Sequence, residues 1–164
     1  MTNHAVRRTA VLALGSNLAQ PEQQVRSALQ AVTELPETEL LAASSLYLTA
    51  PVGYTDQPDF INAVCMIQTA LEAEELLAAL QHIEQAFGRE RSFRNAPRTL
   101  DLDIIDYAGR ISTDEHLILP HPRAHLRSFV MQPLAEIAPD FQLGGQGRAA
   151  DLAAQLGSDG IRKL

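Results

Sequence analysis

RTLDLDII, Arg98 to Ile105, is the stretch on which the reading of the fold turns. Leu100, Leu102 and Ile104 alternate there with Asp101, Asp103 and Ile105. Alternation with a period of two marks a strand that buries one face. It predicts a strand over Thr99–Tyr107, stopped by Ala108-Gly109. Just upstream, Leu76, Leu77, Leu80, Ile83 and Phe87 recur at helical spacing, which predicts a helix over Ala73–Phe87 that Gly88 ends. The polar loop RERSFRNAPR, 89–98, joins the two. The first half of the chain repeats the theme. Thr9–Gly15 reads as a buried strand. Pro21 opens a helix at a position where its missing N–H does no harm, with Val25, Ala28, Leu29, Val32 and Leu35 as the apolar stripe. Leu40–Thr49 reads as the second strand, APVGYTDQP at 50–58 as a loop, and Phe60–Thr69 as the third strand. The order β-α-β-β-α-β predicts an α+β, ferredoxin-like core with an antiparallel sheet and helices packed on it. A short strand near Leu117–Leu119 and one or two helices between 121 and 156 form the expected C-terminal extension. The 164 residues read as a single domain, with a core over about 9–140 and a flexible segment at 1–8.

Composition removes several classes of function. The net charge of -7 argues against general binding to nucleic acid or to anionic membranes. An RNA-reading sheet would display aromatics on a basic surface, and aromatic content is 5%. No apolar segment approaches the ~18 residues of a membrane span. The opening VRRTAVLALGSN has an apolar run too short for an export signal and reads as the first strand. Cys65, the one cysteine, sits in the apolar run NAVCMIQT and reads as a buried, inert thiol. These features predict a cytoplasmic, reducing setting.

The paired aspartates raise the chemical question. Residues i and i+2 of a strand share a face, with Cα atoms ~6.5–7 Å apart. Asp101 and Asp103 therefore converge on one volume. Two such carboxylates repel unless a cation neutralises them. Mg²⁺ prefers oxygen donors and keeps waters and substrate phosphates as its other ligands. A solvated strand face paired with arginines remains the plain alternative. A glycosidase pair is poorly served, because it needs carboxylates on opposite sides of a sugar bond. The distribution of charge favours phosphate. Residues 1–88 hold three basic and ten acidic groups, whereas residues 89–127 hold seven arginines against six acids. Arg89, Arg91, Arg94 and Arg98 crowd one loop, and Arg123 and Arg127 follow, interleaved with His121 and His125. Arginine's planar fork fits phosphate oxygens bidentately. Neither a Walker loop nor GxGxxG occurs, so any polyphosphate would be held by side chains. GSN at 15–17 reads as the turn from strand to helix.

LALGSNL at 12–18, DQPDFINAV at 56–64, GRERSFRNAPRTLDLDI at 88–104 and LPHPRAHLRSFVMQPLAEIAP at 119–139 together resemble the 6-hydroxymethyl-7,8-dihydropterin pyrophosphokinases of folate synthesis. The resemblance implies transfer of pyrophosphate from ATP to the hydroxymethyl group of the pterin, with release of AMP, by a monomer. It implies two Mg²⁺ ions on Asp101 and Asp103 and catalytic arginines at Arg89 and Arg98. It places ATP against Gln81, Glu84, Arg91, Arg98, His121 and Arg127, and the pterin against Thr49, Val52, Phe60, Asn62 and Phe129. Phe60 stands where a tyrosine is often found. The residues themselves speak most clearly at Asn62, an amide in an apolar strand on the same side as Phe60. A buried amide needs partners, and its donor and acceptor suit a pterin's pyrimidine edge. A non-catalytic, ferredoxin-like nucleotide sensor is the rival expectation. It would need the arginines but neither the paired aspartates nor an aromatic pocket.

Overall fold

The computed structural model describes residues 6–17, 20–50, 58–88 and 100–164. Strand β1 (Arg8–Ser16) runs through the middle of the sheet. It pairs antiparallel with β4 (Phe60–Thr69) on one side and with β5 (Asp101–Tyr107) on the other. Its residues feed two cores: Ala10, Leu12 and Leu14 face one, and Val11 faces the other. Burial on both faces is why β1 reads as an apolar run and not as an alternation. Helices α1 (Pro21–Thr33) and α2 (Ala73–Gly88) cover the first face. There Val25, Ala28 and Val32 of α1 and Leu76, Leu80 and Ile83 of α2 join Leu12, Leu102 and Ile104. Each large aliphatic side chain so buried contributes about 1.5–3 kcal/mol.

The segment expected to form one second strand forms two. β2 (Thr38–Ala43) and β3 (Tyr47–Thr49) lie along different halves of β4. The break falls at Ser44 and Ser45, whose hydroxyls compete with the ladder. The Ser44 hydroxyl accepts the Val64 N–H at 2.9 Å. Ser45 donates its N–H and its hydroxyl to Glu136, at 3.0 and 2.8 Å. With β2 and β3 taken together, the sheet order is second, third, first, fourth, the ferredoxin-like arrangement.

Beyond β5 come the hairpin β6 (Ser112–Asp114) and β7 (Leu117–Leu119), a 3₁₀ turn at Ala124–Leu126, and α3 (Ser128–Ile137). The hairpin β8 (Gln142–Leu143) and β9 (Gly147–Arg148) leads to α4 (Ala149–Leu156). α3 and α4 close the second face, packing Val130, Met131, Leu134 and Leu152 with Val11, Val64 and Ile105. The last strand, β10 (Ile161–Lys163), pairs with β3. Three residues with two cations give no hydrophobic period, so the sequence pattern does not announce it.

One irregularity positions the site. Val11 pairs with Asp106 and Leu12 with Ile104, leaving Ile105 as the extra residue of a β-bulge. Ile105 stays on the aspartate side and is buried in the second core, while Tyr107 returns to the leucine side. The aspartate face is therefore covered from Ile105 onward and open at Asp101 and Asp103. Among the described residues, no helix is long and apolar enough to cross a membrane.

Candidate active site

Gly15 of β1 pairs with Asn62 of β4 on one side and with Asp101 of β5 on the other. The three form a row across the sheet, so Asn62 and Asp101 stand about 10 Å apart, two strand spacings. Asp103 lies two residues further along β5, on the same face. Thr49 and Phe60 form the neighbouring pair from β3 and β4. Arg127, Ser128 and Phe129 enter where α3 begins. All of these line one cavity of about 410 Å³.

One end of the cavity is built to read a flat polar ring. Asn62 is 8% exposed, and its Nδ2 donates to Thr49 Oγ1 at 2.7 Å. That bond fixes the amide's orientation and leaves Oδ1 over Gly15. A Cβ on Gly15 would stand 2.5 Å from that oxygen. Gly15 and Ser16 thus belong to the strand and not to the turn expected at GSN, and the bare glycine is what lets the amide lie flat. Phe60 and Phe129 are both half-buried. Phe129 packs partly on the second core, and the Arg127 guanidinium carbon stands 5.5 Å from its ring centroid. Pocket and core are therefore both true of Phe129.

The other end is anionic. Asp101 is exposed and Asp103 half-buried. Among the described residues, the Asp103 side chain makes no hydrogen bond or ion pair; its electrostatic partner is His121. Burial lowers the His121 pKa, and Arg127 and Arg123 push the same way against the attraction of Asp103. A neutral ring at pH 7 follows. His121 Nδ1 accepts the Arg123 N–H at 3.1 Å, so the ring proton sits on Nε2. Among the described residues, no third His, Cys, Asp or Glu joins the two aspartates in a metal-sized group. Two adjacent oxygens opening on a cavity fit Mg²⁺, which fills its octahedron with water and phosphate. They do not fit zinc, which asks for three or four protein ligands, nitrogen and sulfur among them.

Gln81 and Glu84 lie on α2, across the sheet from the cavity. Gln81 is exposed. Glu84 reaches β5, where its Oε2 accepts the Leu102 N–H at 2.7 Å. Arg89, Arg91, Arg98 and Val52 lie outside the described residues. Sequence reasoning passed over Gly15, Leu126 and Ser128, which also line the cavity. Of these only Gly15 carries a signal, as a glycine within an apolar strand.

Comparison with known proteins places the chain among clear relatives. A model of the 7,8-dihydro-6-hydroxymethylpterin-pyrophosphokinase (HPPK) family matches residues 11–139. The chain is 44% identical over 153 residues to the 2-amino-4-hydroxy-6-hydroxymethyldihydropteridine pyrophosphokinase of Pseudomonas aeruginosa, covering 93% of this chain and 94% of that one. It is also 44% identical over 156 residues to the protein of the same name from Haemophilus influenzae, covering 95% and 98%. Among solved structures it resembles Plasmodium falciparum HPPK-DHPS crystallised with pterin and p-hydroxybenzoate, with a TM-score of 0.76 at 13% identity. That match covers 99% of this chain and 47% of the crystallised one, so the chain spans about half its length.

Proposed function

The chain belongs to the 7,8-dihydro-6-hydroxymethylpterin-pyrophosphokinase family, and we propose that the cavity between β4, β5 and α3 is where it works. There pyrophosphate passes from ATP to the hydroxymethyl group of 6-hydroxymethyl-7,8-dihydropterin, giving AMP and the pterin diphosphate, a step in folate biosynthesis. The observation that carries this reading is the row Asn62–Gly15–Asp101. It sets a ring-reading amide and a metal-binding carboxylate in one cavity, at the separation a bicyclic ring with a hydroxymethyl arm would bridge. A nucleotide sensor would have no use for the amide end.

In this reading Asn62, oriented by Thr49, presents Oδ1 to the N–H groups of the pterin's pyrimidine edge. Phe60 and Phe129 hold the ring by its faces, and Val52 completes the apolar wall. Asp101 and Asp103 hold two Mg²⁺ ions. When bound, those ions neutralise the triphosphate and lower the pKa of the attacking hydroxyl. Gln81, Arg91, His121 and Arg127 hold the nucleotide, with the neutral His121 donating from Nε2. Arg89 and Arg98 stabilise the charge that grows on the bridging oxygen as AMP departs. No side chain is needed as a dedicated base, because positioning and charge carry most of the rate of phosphoryl-type transfer. Action as a cytoplasmic monomer and as a single domain belongs to the same reading.

Incubating the protein with Mg²⁺, ATP and the hydroxymethyl pterin, then separating the nucleotides by chromatography, tests it. AMP and a pterin diphosphate in equal amounts are expected. ADP with a pterin monophosphate would overturn it.

A further inference from the structure

Among the described residues β5 is an outer strand, with no partner strand on its free side. Two other elements supply partners. The His121 N–H donates to the Ile105 carbonyl at 2.8 Å. The Leu102 N–H is taken by Glu84 Oε2 at 2.7 Å. Leu102 stands between Asp101 and Asp103, and its side chain, 5% exposed, is locked among the leucines of the opposite face. A carboxylate accepting a backbone N–H makes a short, charge-assisted bond. Glu84 itself is held on the last turns of α2, whose Leu80 and Ile83 are buried in the first core. The bond therefore ties the strand to a rigid body at the residue midway between the two carboxylates.

We propose that Glu84 is a positioning residue for the Asp101–Asp103 pair, acting through the Leu102 amide and not through contact with the nucleotide. This rests on the reading of those aspartates as Mg²⁺ ligands. A site of this kind must hold its ligands within about 0.5 Å of the working geometry. On its free side the strand is held by His121 only at Ile105, beyond the aspartates, and Glu84 supplies the hold at Leu102 between them. With Glu84 in place, the height and pitch of β5 are set from both sides. What the strand needs from Glu84 is an accepting oxygen at the right reach. Glutamine also supplies one, without the charge, and alanine supplies none.

The test compares the whole chain with its Glu84→Ala, Glu84→Gln and Asp103→Asn variants. Mn²⁺ binding to the protein–ATP complex is measured by electron paramagnetic resonance, and amide hydrogen exchange by NMR. Glu84→Ala should weaken Mn²⁺ binding about 10–100-fold, the usual cost of losing a partner outside the ligands. It should also speed exchange at Leu102 while the amides of β4 stay protected. Glu84→Gln should restore most of both. Unchanged Mn²⁺ binding in Glu84→Ala, or a Gln variant as impaired as Ala, would overturn the proposal. So would loss of protection across β4, which would make Glu84 a residue of the fold at large. If Asp103→Asn binds Mn²⁺ as wild type does, the metal reading falls and the proposal with it. A weakened Asp103→Asn beside an unaffected Glu84→Ala removes the positioning role alone.

Discussion

Asn62 lies so close above Gly15 that a single methyl group on the glycine would stand 2.5 Å from the amide oxygen. The amide cannot simply move aside, because its Nδ2 is bonded to Thr49 inside the protein. Gly15→Ala should therefore break that bond and turn Oδ1 away from the cavity. Disturbing one buried hydrogen bond costs about 1–3 kcal/mol. Pterin affinity should fall on the order of tenfold while ATP affinity holds, a contrast that titration calorimetry reads directly. Equal affinity for pterin in both proteins would mean that Asn62 does not face the ring.

Asp103→Asn and Asp101→Asn should each lower turnover by about 10²-fold or more, since even partners outside the ligands of a metal site are worth 10–100-fold. Each also relieves repulsion between neighbouring carboxylates, so melting temperature should hold or rise. Normal turnover in either variant removes the metal assignment.

Phe129 has a dual position, so its truncation should have two effects. Phe129→Ala should weaken pterin binding by on the order of 1 kcal/mol beyond lost contact area. It should also lower stability, because the ring packs on the second core. ATP binding should change much less. Equal loss for the two substrates, measured by calorimetry at a temperature where the variant is folded, would confine Phe129 to a packing role.

Glu136 joins α3 to β3 and β10 and gives the fold an acid-sensitive point. Burial alone would raise its pKa. Hydrogen bonds from Tyr47, at 2.7 Å, and from Ser45, with Lys163 nearby, outweigh burial and hold the carboxyl below its ordinary value of 4.5. The folded state thus binds the proton less readily than the unfolded chain. The contribution of Glu136 is full above pH 4.5 and fades as pH falls through the lower folded value. Glu136→Gln should be less stable at neutral pH, and the gap should narrow below that point. Denaturant melts at pH 7 and pH 3.5, on this carboxylate range, would show a constant gap if the ion contributes nothing.

The parts of this molecule that were legible in the sequence are those written as periodicity. RTLDLDII showed a strand and a shared carboxylate face, and the stripes of α1 and α2 showed two helices on one side of the sheet. Asn62 stood out because an amide in an apolar strand needs a reason. The misreadings share another cause: they depend on contacts across strands, which a linear pattern does not carry. The break between β2 and β3 comes from hydroxyls that bond Val64 and Glu136, residues distant in the chain. The bulge at Ile105 is set by the register against β1, and β10 is too short to have a period. Gly15 read as a turn because its meaning lies in the neighbour strand's side chain. Glu84 entered the sequence reading only through the family resemblance, as a nucleotide contact, and its bond to Leu102 exists only once the chain is folded.

Two of the outer strands of the sheet, β5 and β10, also bear on how copies of this protein treat one another. An open strand invites a foreign strand to add to it, the first step toward fibrous self-association. β10 answers with brevity and with exposed Arg162 and Lys163. β5 answers with occupied hydrogen bonds, its Leu102 N–H and Ile105 carbonyl already taken by Glu84 and His121. The strand that carries Asp101 and Asp103 at the rim thus offers fewer open groups to a foreign strand. Substitutions at Glu84 should accordingly be followed by light scattering as well as by rate, because the bond proposed to position the site also occupies an open group of the strand edge.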